Sequence, residues 1–399
     1  MAGRHAHTPN AAPGRTSPRV LAGVAALLGV VALAMVWLWP ESSGSPAGDQ
    51  STRQVNGVIE AIARQPCPDS PPEAPSSSGS PRSCGTAQVR LTSGDQEGAT
   101  VTAQLPSGAG APPVGVGDGV ALAYSAGNPP ESQFAIVDLE RGSGLWVLFA
   151  AFVLSVVAFG RWRGLSSLLG LGFTFAVILG FVIPAILDGK PPLTVAIVGC
   201  AAIVLVVLYL THGLGQATTI AVAGTIASLV LTGVFSVVAV RALDLSGAGD
   251  ESSFLLGQSR GVDLRGLLLA GILIGSLGVL DDVTVTQAAT VQELALANPD
   301  FSTRRLYGAA VRVGRAHIAS VINTIVLAYA GASLPLIALI VSLDDPVGQV
   351  LSDQLVATEL VRSAVGTMGL IAAVPITTAS AAVLATSGRS HHGPGSESG

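Results

Sequence analysis

Two adjacent carboxylates, Asp281 and Asp282, stand at the end of a long apolar run in the second half of the chain. The run covers residues 264–280, which is about 25 Å of α-helix and slightly less than the thickness of the bilayer core. The acids can therefore lie just below the lipid headgroups, where an ionised side chain is costly. Carboxylates held at such a depth are candidates for binding a cation or relaying a proton.

Polar side chains continue beyond the acids at helical spacing. Asp282, Thr286 and Glu293 fall on one face of a helix, Gln287 lies alongside them, and the opposite face is apolar. The sequence thus predicts that the membrane span continues as an amphipathic helix into or along the cytoplasmic surface. Pro299 predicts the end of this helix, because the residue before a proline is disfavoured in the helical conformation.

Two interpretations of this segment remain open. In the simpler one it is a solvated exit helix, whose acids meet water and the arginines nearby. In the functional one it belongs to a polar cluster inside the bundle, with Asn323 of the next span as the partner and His317 near the inner end of that span. A buried amide can hydrogen-bond across helices or help carboxylates to hold a hard cation, and the identity of any metal stays undefined.

The composition is that of a membrane protein. Of the 399 residues, 49% are hydrophobic and only 11% are charged, whereas about a quarter of the residues are charged in ordinary soluble domains. The apolar residues form blocks, which predicts an α-helical polytopic protein with the lipid bilayer as its solvent. The small net charge of -5 and the position of the few basic residues in loops argue against nucleic acid as a partner.

About eight membrane spans are predicted from the apolar blocks. The first is interpreted as an uncleaved anchor, and the other seven form a membrane domain of residues 145–385. The predicted spans are residues 20–39, 145–160, 165–187, 193–211, 217–240, 264–280, 316–342 and 361–385.

The arginines predict the orientation, because loops that stay in the cytoplasm carry an excess of basic residues. With both termini in the cytoplasm, the inner face holds most of the arginines, including the group between residues 304 and 315. The terminal segments 1–19 and 386–399 are predicted to be disordered cytoplasmic tails. Residues 41–144 are then placed outside the cytoplasm.

Residues 41–144 form a separate polar region, in which short alternating segments lie between turn residues. This pattern predicts a small all-β domain between the first and second spans, and five strands suggest a barrel of the OB or SH3-like type. A hairpin-type turn is expected at residues 117–119. The predicted strands are residues 55–62, 87–91, 100–105, 120–124 and 134–139.

Cys67 and Cys84 bracket a low-complexity loop in this domain, and a disulfide between them is predicted. Closing a loop of that length stabilises a small domain by about 3 kcal/mol. The predicted placement outside the cytoplasm agrees with this, because disulfides persist in oxidising compartments. Two unpaired cysteines are the alternative, and a zinc site is disfavoured because the domain contains no further Cys or His.

The common catalytic motifs are missing from the sequence. The chain has no phosphate-binding or dinucleotide-binding glycine pattern, and neither His212 nor His317 has an obvious partner motif. The two acids are adjacent, and adjacent helix residues do not face each other as a pair of protease carboxylates must. The protein is therefore expected not to be an enzyme and to use no cofactor.

Two blocks of the sequence resemble the YibE/F family of bacterial multi-pass membrane proteins. They are GVLDDVTVTQAATVQEL, residues 278–294, and NTIVLAYAGASLPL, residues 323–336. The positions that match the family pattern are Gly278, Asp282, Gln287, Glu293, Asn323, Thr324, Tyr329, Gly331 and Pro335. The resemblance implies a multi-pass protein of the bacterial cytoplasmic membrane in which this cluster matters, and it supplies no substrate.

Two functions follow from these features. In the first, the protein moves an ion or a small solute through a polar cluster between the sixth and seventh spans. The candidate residues for this cluster are Asp281, Asp282, Thr286, Gln287, Glu293 and Asn323. In the second, the protein is a non-catalytic scaffold or regulator whose outer β-domain binds an envelope protein.

Overall fold

The structure is a computed structural model and describes residues 18–41, 53–66, 83–107, 111–125, 129, 133–249, 251–342, 346, 348, 350 and 353–387. The chain forms two compact units. One comprises residues 43–159, and the other combines residues 1–42 with residues 160–399. Most of the two predicted tails lies outside the described residues.

The first unit contains a closed five-stranded barrel, which confirms the predicted all-β domain. The strands are β1 (Arg53–Pro66), β2 (Ser83–Leu91), β3 (Thr100–Gln104), β4 (Gly119–Tyr124) and β5 (Phe134–Leu139). Their order around the barrel is β1-β2-β3-β5-β4, and β3 with β5 is the parallel pair. A five-stranded barrel is the architecture of OB domains, one of the two predicted types.

The alternation of side chains along the strands explains why the barrel closes around a core. On β4, Val120 and Leu122 are completely buried, and on β5 Ile136 is buried while its neighbour Val137 is 51% exposed. Successive residues of a strand point to opposite faces, so one face of each strand fills the interior. The barrel therefore has a hydrophobic core of its own.

The turn before β4 differs from the hairpin that the sequence suggested. Gly117 has a φ of 93°, its N–H donates to the carbonyl of Ile59, and the N–H of Ile59 donates to the carbonyl of Asp118. The turn thus binds to β1, while β3 and β4, which it separates in the chain, are not neighbours in the barrel. The turn is present where the sequence predicted it, but it does not join a hairpin, because glycines indicate a turn and not which strands pair.

Of the two cysteines in the predicted disulfide, the structure describes one, Cys84. Cys84 lies on β2 opposite Gln65 of β1. Cys67, two positions after Gln65 in the sequence, lies outside the described residues. The disulfide therefore stays a prediction.

The other elements are helices. A π-helical turn, Ile178–Val182, joins the second helix to the third. The helices are α1 (Pro18–Trp37), α2 (Gly142–Val177), α3 (Ile183–Leu187), α4 (Pro192–His212), α5 (Gln216–Ala242), α6 (Glu251–Arg260), α7 (Leu264–Ala297), α8 (Thr303–Ala332), α9 (Leu334–Ser342) and α10 (Gln354–Ser387).

Six helical stretches in the described part of the chain are long and apolar enough to cross a bilayer. Two of the predicted spans, 145–160 and 165–187, fall in a single stretch, Gly142–Leu187, which the non-helical backbone of Arg161 interrupts. The predicted anchor falls in α1, whose apolar part, Ala22–Trp37, is shorter than the other candidates. These helices support a multi-pass membrane protein, and the number of eight spans stays a prediction.

Helices α5, α7 and α10 pack against one another and form the centre of the helical unit. Helix α8 packs on α7 and α10, and α4 packs on α5 and α7. Side chains in contact show that α5 runs antiparallel to α10, since Gly224 meets Thr377 while Thr232 meets Gly369. Helix α5 also runs antiparallel to α7, since Thr225 meets Thr284 while Gly233 meets Leu273. Helix α8 is antiparallel to α7, since Gly275 meets Tyr329 while Gly314 meets Gln287. The core between these helices is built mainly from Leu, Val, Ile and Ala side chains.

Candidate functional site

Helix α7 carries the predicted acidic segment without interruption. It extends to Ala297, and Asn298 ends it before Pro299, as the sequence predicted. The outer face presents Asp282, Thr286 and Glu293 to the surroundings, while the opposite face of the same segment is buried. The predicted amphipathic helix is therefore present, and three of the candidate residues lie on its exposed side.

The two adjacent acids have different surroundings. Asp282 is exposed, and its Oδ2 lies 3.9 Å from Nε2 of His317 on α8, which is an ion-pair distance too long for a hydrogen bond. Asp281 is partly buried, and its Oδ1 accepts a hydrogen bond of 2.8 Å from the backbone N–H of Asp282. Asp282 is thus the acid that reaches the neighbouring helix.

Asn323 does not meet the acids. With His317 opposite Asp282, Asn323 lies six residues further along α8, or about 9 Å along the helix axis. Its side chain is exposed and forms no hydrogen bond with any described residue. The pairing of Asp282 with an amide on the next helix, which the sequence suggested, is thus replaced by pairing with an imidazole.

Gln287 is the candidate residue that the structure places inside the bundle. It is 2% exposed, its Nε2 donates to the carbonyl of Ala310 at 3.5 Å, and it packs against Gly314 of α8. Its Oε1 is buried and has no hydrogen-bond partner in the described part of the chain. A buried acceptor without a partner is costly, which makes Gln287 a place where water or a cation would be stabilised.

Gln287 belongs to a larger group of buried polar side chains, which we call the polar seam. Every buried polar side chain in the described part of the chain lies on α5, α7 or α10. The members of the polar seam are Thr218, Thr225, Ser228, Thr232, Ser236, Ser276, Thr284, Gln287, Thr358, Thr377 and Thr378.

Hydroxyl groups of the polar seam meet across the helices. Oγ1 of Thr225 on α5 lies 2.6 Å from Oγ1 of Thr284 on α7, and either atom can donate. On α10, the Oγ1 atoms of Thr358, Thr377 and Thr378 are buried, and no described residue forms a hydrogen bond with them. The polar seam therefore contains both satisfied hydroxyls and polar atoms that are free to bind something else.

The polar seam extends over the thickness of a membrane. On α10 its members run from Thr358 to Thr378, a separation of about 30 Å at 1.5 Å per residue. The hydrocarbon core of a bilayer is about 30 Å thick. Polar groups are thus available at several depths.

Sequence reasoning did not find the polar seam, although part of its signal was visible. Ser228, Thr232 and Ser236 recur at every fourth residue, so they fall on one face of α5. Each donates to the backbone carbonyl four residues earlier, which allows a hydroxyl to be buried in an apolar helix. Serine and threonine change hydropathy too little to reveal such a face in an apolar span.

The described residues do not hold a ready metal site. No group of three or more His, Cys, Asp or Glu side chains comes together in the part of the chain that the structure describes. Asp282 and His317 alone supply two ligands on an exposed surface, fewer than a structural or catalytic metal ion takes from a protein.

Replacing His317 with alanine is expected to lower the free energy of unfolding by about 1 kcal/mol or less. The pair with Asp282 is partly exposed, and exposed ion pairs contribute about 0–1 kcal/mol. Denaturant unfolding of the purified full-length protein in detergent measures this change, with Asp282→Asn as the matched variant. A loss well above 2 kcal/mol in both variants would show that the pair is buried in the folded protein and would contradict the geometry.

Comparison with known proteins agrees with the resemblance seen in the sequence. The family model described as YibE/F-like protein matches residues 148–387, which is more than half of the chain. The comparison with curated proteins finds no match, and neither does the comparison with solved structures. The matched region begins within α2 and ends with α10, so it includes the acidic segment and the polar seam.

Proposed function

This chain belongs to the YibE/F-like protein family, and we propose that it moves a small cation or a proton across the cytoplasmic membrane of a bacterium. The polar seam between α5, α7 and α10 is the proposed path. Asp282, with His317 beside it, is the proposed entrance at the end of α7 that carries the acids.

One observation carries this proposal. Buried polar side chains are costly in a membrane protein and normally face the bundle interior, a partner or a water-filled cavity. Among the described residues they are confined to three mutually packed helices, and they recur over a distance that matches the bilayer. The hydroxyl and amide oxygens of the polar seam are ligands that hard cations prefer.

The candidate residues divide between two roles in this proposal. Gln287, whose Oε1 is buried without a partner, lies on the path, one helical turn beyond Thr284. Asp281, Asp282, Thr286 and Glu293 give the entrance a negative or polar surface, which raises the local concentration of cations. Asn323 lies outside this path, because it is on the exposed face of α8.

The proposed orientation places the acidic end of α7 at the cytoplasm. Helix α8 runs antiparallel to α7, so its arginines between residues 304 and 315 lie at the same end as the acids. The positive-inside rule assigns that end to the cytoplasm. With eight spans, the barrel would then lie outside the cytoplasm, where a disulfide between Cys67 and Cys84 would persist.

Flux measurements on proteoliposomes test the proposal. We expect the purified protein to conduct protons or a monovalent cation, detected with a pH-sensitive dye and with a panel of cation gradients. The double variant Thr225→Val/Thr284→Val removes a hydroxyl pair from the polar seam with little change in shape and is expected to lower the flux about tenfold or more. Thr324→Val is the control, because it removes an exposed hydroxyl of α8 that belongs neither to the polar seam nor to the entrance.

Two outcomes would contradict transport. One is that the folded wild-type protein conducts none of the tested ions. The other is that the double variant and the control conduct equally well while deletion of the barrel abolishes the cellular phenotype. The second outcome would favour the alternative function, a scaffold or regulator that binds an envelope protein through the barrel.

A further inference from the structure

We propose that a cavity between α3, α7 and α10 binds a small solute that carries a carboxylate group, with Thr358 and Arg362 as its hydrogen-bond donors. This inference goes beyond the proposed function, since it concerns a binding site whose occupancy can be measured whether or not the protein transports anything.

The cavity lies at the end of the helical unit away from the acids. It has a volume of about 320 Å³, which is in the usual range for sites that bind small molecules, about 300–1,000 Å³. Its α7 wall includes Gly271, which is eleven residues from Asp282, or about 16 Å along the helix. The cavity is therefore separate from the Asp282–His317 pair.

Three polar side chains from one turn of α10 line the cavity. Nη1 of Arg362 donates to Oε1 of Glu359 at 2.8 Å, and about 30% of each side chain is exposed. Thr358 lies beside this pair and is 9% exposed. The remaining walls are largely apolar and include Val182, Ile186 and Leu267.

Two of the polar groups at the cavity have unused hydrogen-bonding capacity. Oγ1 of Thr358 and Nε of Arg362 are both buried, and neither has a hydrogen-bond partner among the residues that the structure describes. Nη1 of Arg362 donates its hydrogen bond to Glu359, while the Nε–H has no acceptor among the described residues. Buried donors without acceptors are costly, so an acceptor placed in the cavity would be stabilised by both.

A carboxylate suits this arrangement. Guanidinium groups recognise carboxylates with well-defined geometry, and such charge-assisted hydrogen bonds are the strong ones. Glu359 already balances the charge of Arg362. A zwitterion, whose ammonium group could approach Glu359, would keep the cavity neutral, whereas a plain carboxylate would add a buried negative charge. The apolar walls favour a ligand with a hydrocarbon portion, whether the ligand is a zwitterion or a plain carboxylate.

Titration calorimetry on the full-length protein in detergent tests this proposal, with leucine, isovalerate and isoamylamine as probes. These probes share a branched hydrocarbon body and differ in their charged groups. We expect saturable binding of leucine or isovalerate and none of isoamylamine, and the comparison of the first two separates a zwitterion from a simple anion. Arg362→Gln and Thr358→Val should each weaken binding about tenfold or more.

Two further variants keep the test valid if the loss of Arg362 unfolds the protein. Gly271→Leu leaves the charged pair untouched and adds a bulky side chain to the cavity wall, where a Cβ atom would meet no other atom within 4 Å, and it should abolish binding. Arg241→Gln removes an exposed arginine near the same end of the helical unit and should leave the affinity unchanged.

Several results would overturn the proposal. The first is that neither leucine nor isovalerate binds. The second is that the wild type and Gly271→Leu bind with equal affinity. The third is that Arg241→Gln lowers the affinity as much as Arg362→Gln does. Binding of phosphatidylglycerol from mixed micelles without binding of isovalerate or leucine would also overturn it, because the donors would then serve a lipid phosphate.

Discussion

Replacing Gly314 with valine is expected to destabilise the helical unit by about 1–3 kcal/mol or more. Gly314 lies on α8 where three helices meet, and a Cβ atom there would clash with Nε2 of Gln287 and come within 2.8 Å of Cγ1 of Val374. Both neighbours are themselves buried, so they cannot move into solvent to make room. Overpacking of this kind forces side chains away from their preferred rotamers.

Gly308→Val is the matched control, because it lies on the same helix and a Cβ atom there would meet only Nη1 of Arg312, at 3.9 Å. The measurement is the unfolding midpoint of each purified variant in the same detergent, together with the fraction that elutes as a single species. Equal stability of the two variants would mean that α8 does not pack on α7 and α10 as described, and the burial of Gln287 would then be in doubt.

Shortening Ile136 to alanine is expected to destabilise the barrel by about 2–5 kcal/mol. Ile136 is 4% exposed and belongs to the core of the barrel, so truncation removes buried methyl groups and leaves a cavity. A small domain has little stability to lose, and a change of this size unfolds a large fraction of it. Pulse proteolysis of the full-length protein in increasing urea, followed by detection of the barrel fragment, measures the shift.

Val137→Ala provides the control on the adjacent position. Val137 points to the opposite face of β5 and is 51% exposed, so its truncation should change stability by about 0.5 kcal/mol or less. If Val137→Ala were the more destabilising variant, the register of β5 in the barrel would be shifted by one residue, since a shift of that size exchanges the two faces of a strand.

The barrel could be predicted from the sequence because apolar and polar side chains alternate along its strands, as they do in half-buried β-strands. Alternation around Val120 and Leu122, with glycines and prolines between the segments, located every strand to within a few residues. The order of the strands could not be predicted in this way. It depends on which backbone edges meet, and the turn at Gly117, which does not join a hairpin, shows that a local turn signal does not contain that information.

Part of the candidate site was also predictable from periodicity, in this case the spacing of polar residues along a helix. The spacing of Asp282, Thr286 and Glu293 correctly placed them on one face of α7. The sequence could not tell that this face is exposed while Gln287 is buried, or that Asn323 is exposed and displaced along α8 from the residue opposite Asp282. Before the acids, α7 is apolar on nearly every side, so its periodicity does not distinguish the face toward lipid from the face toward other helices.

The contacts between α5 and α10 restrict how the bundle can change shape. Thr377 of α10 fits over Gly224 of α5, and Thr232 of α5 fits over Gly369 of α10, so each helix holds a glycine that receives the threonine of the other. Sliding by one turn, about 5.4 Å, would push Thr377 onto Ile220 or Ser228, where side chains occupy the space. These two helices are thus expected to move together as one rigid pair, and any opening would occur where α4 and α8 pack around them.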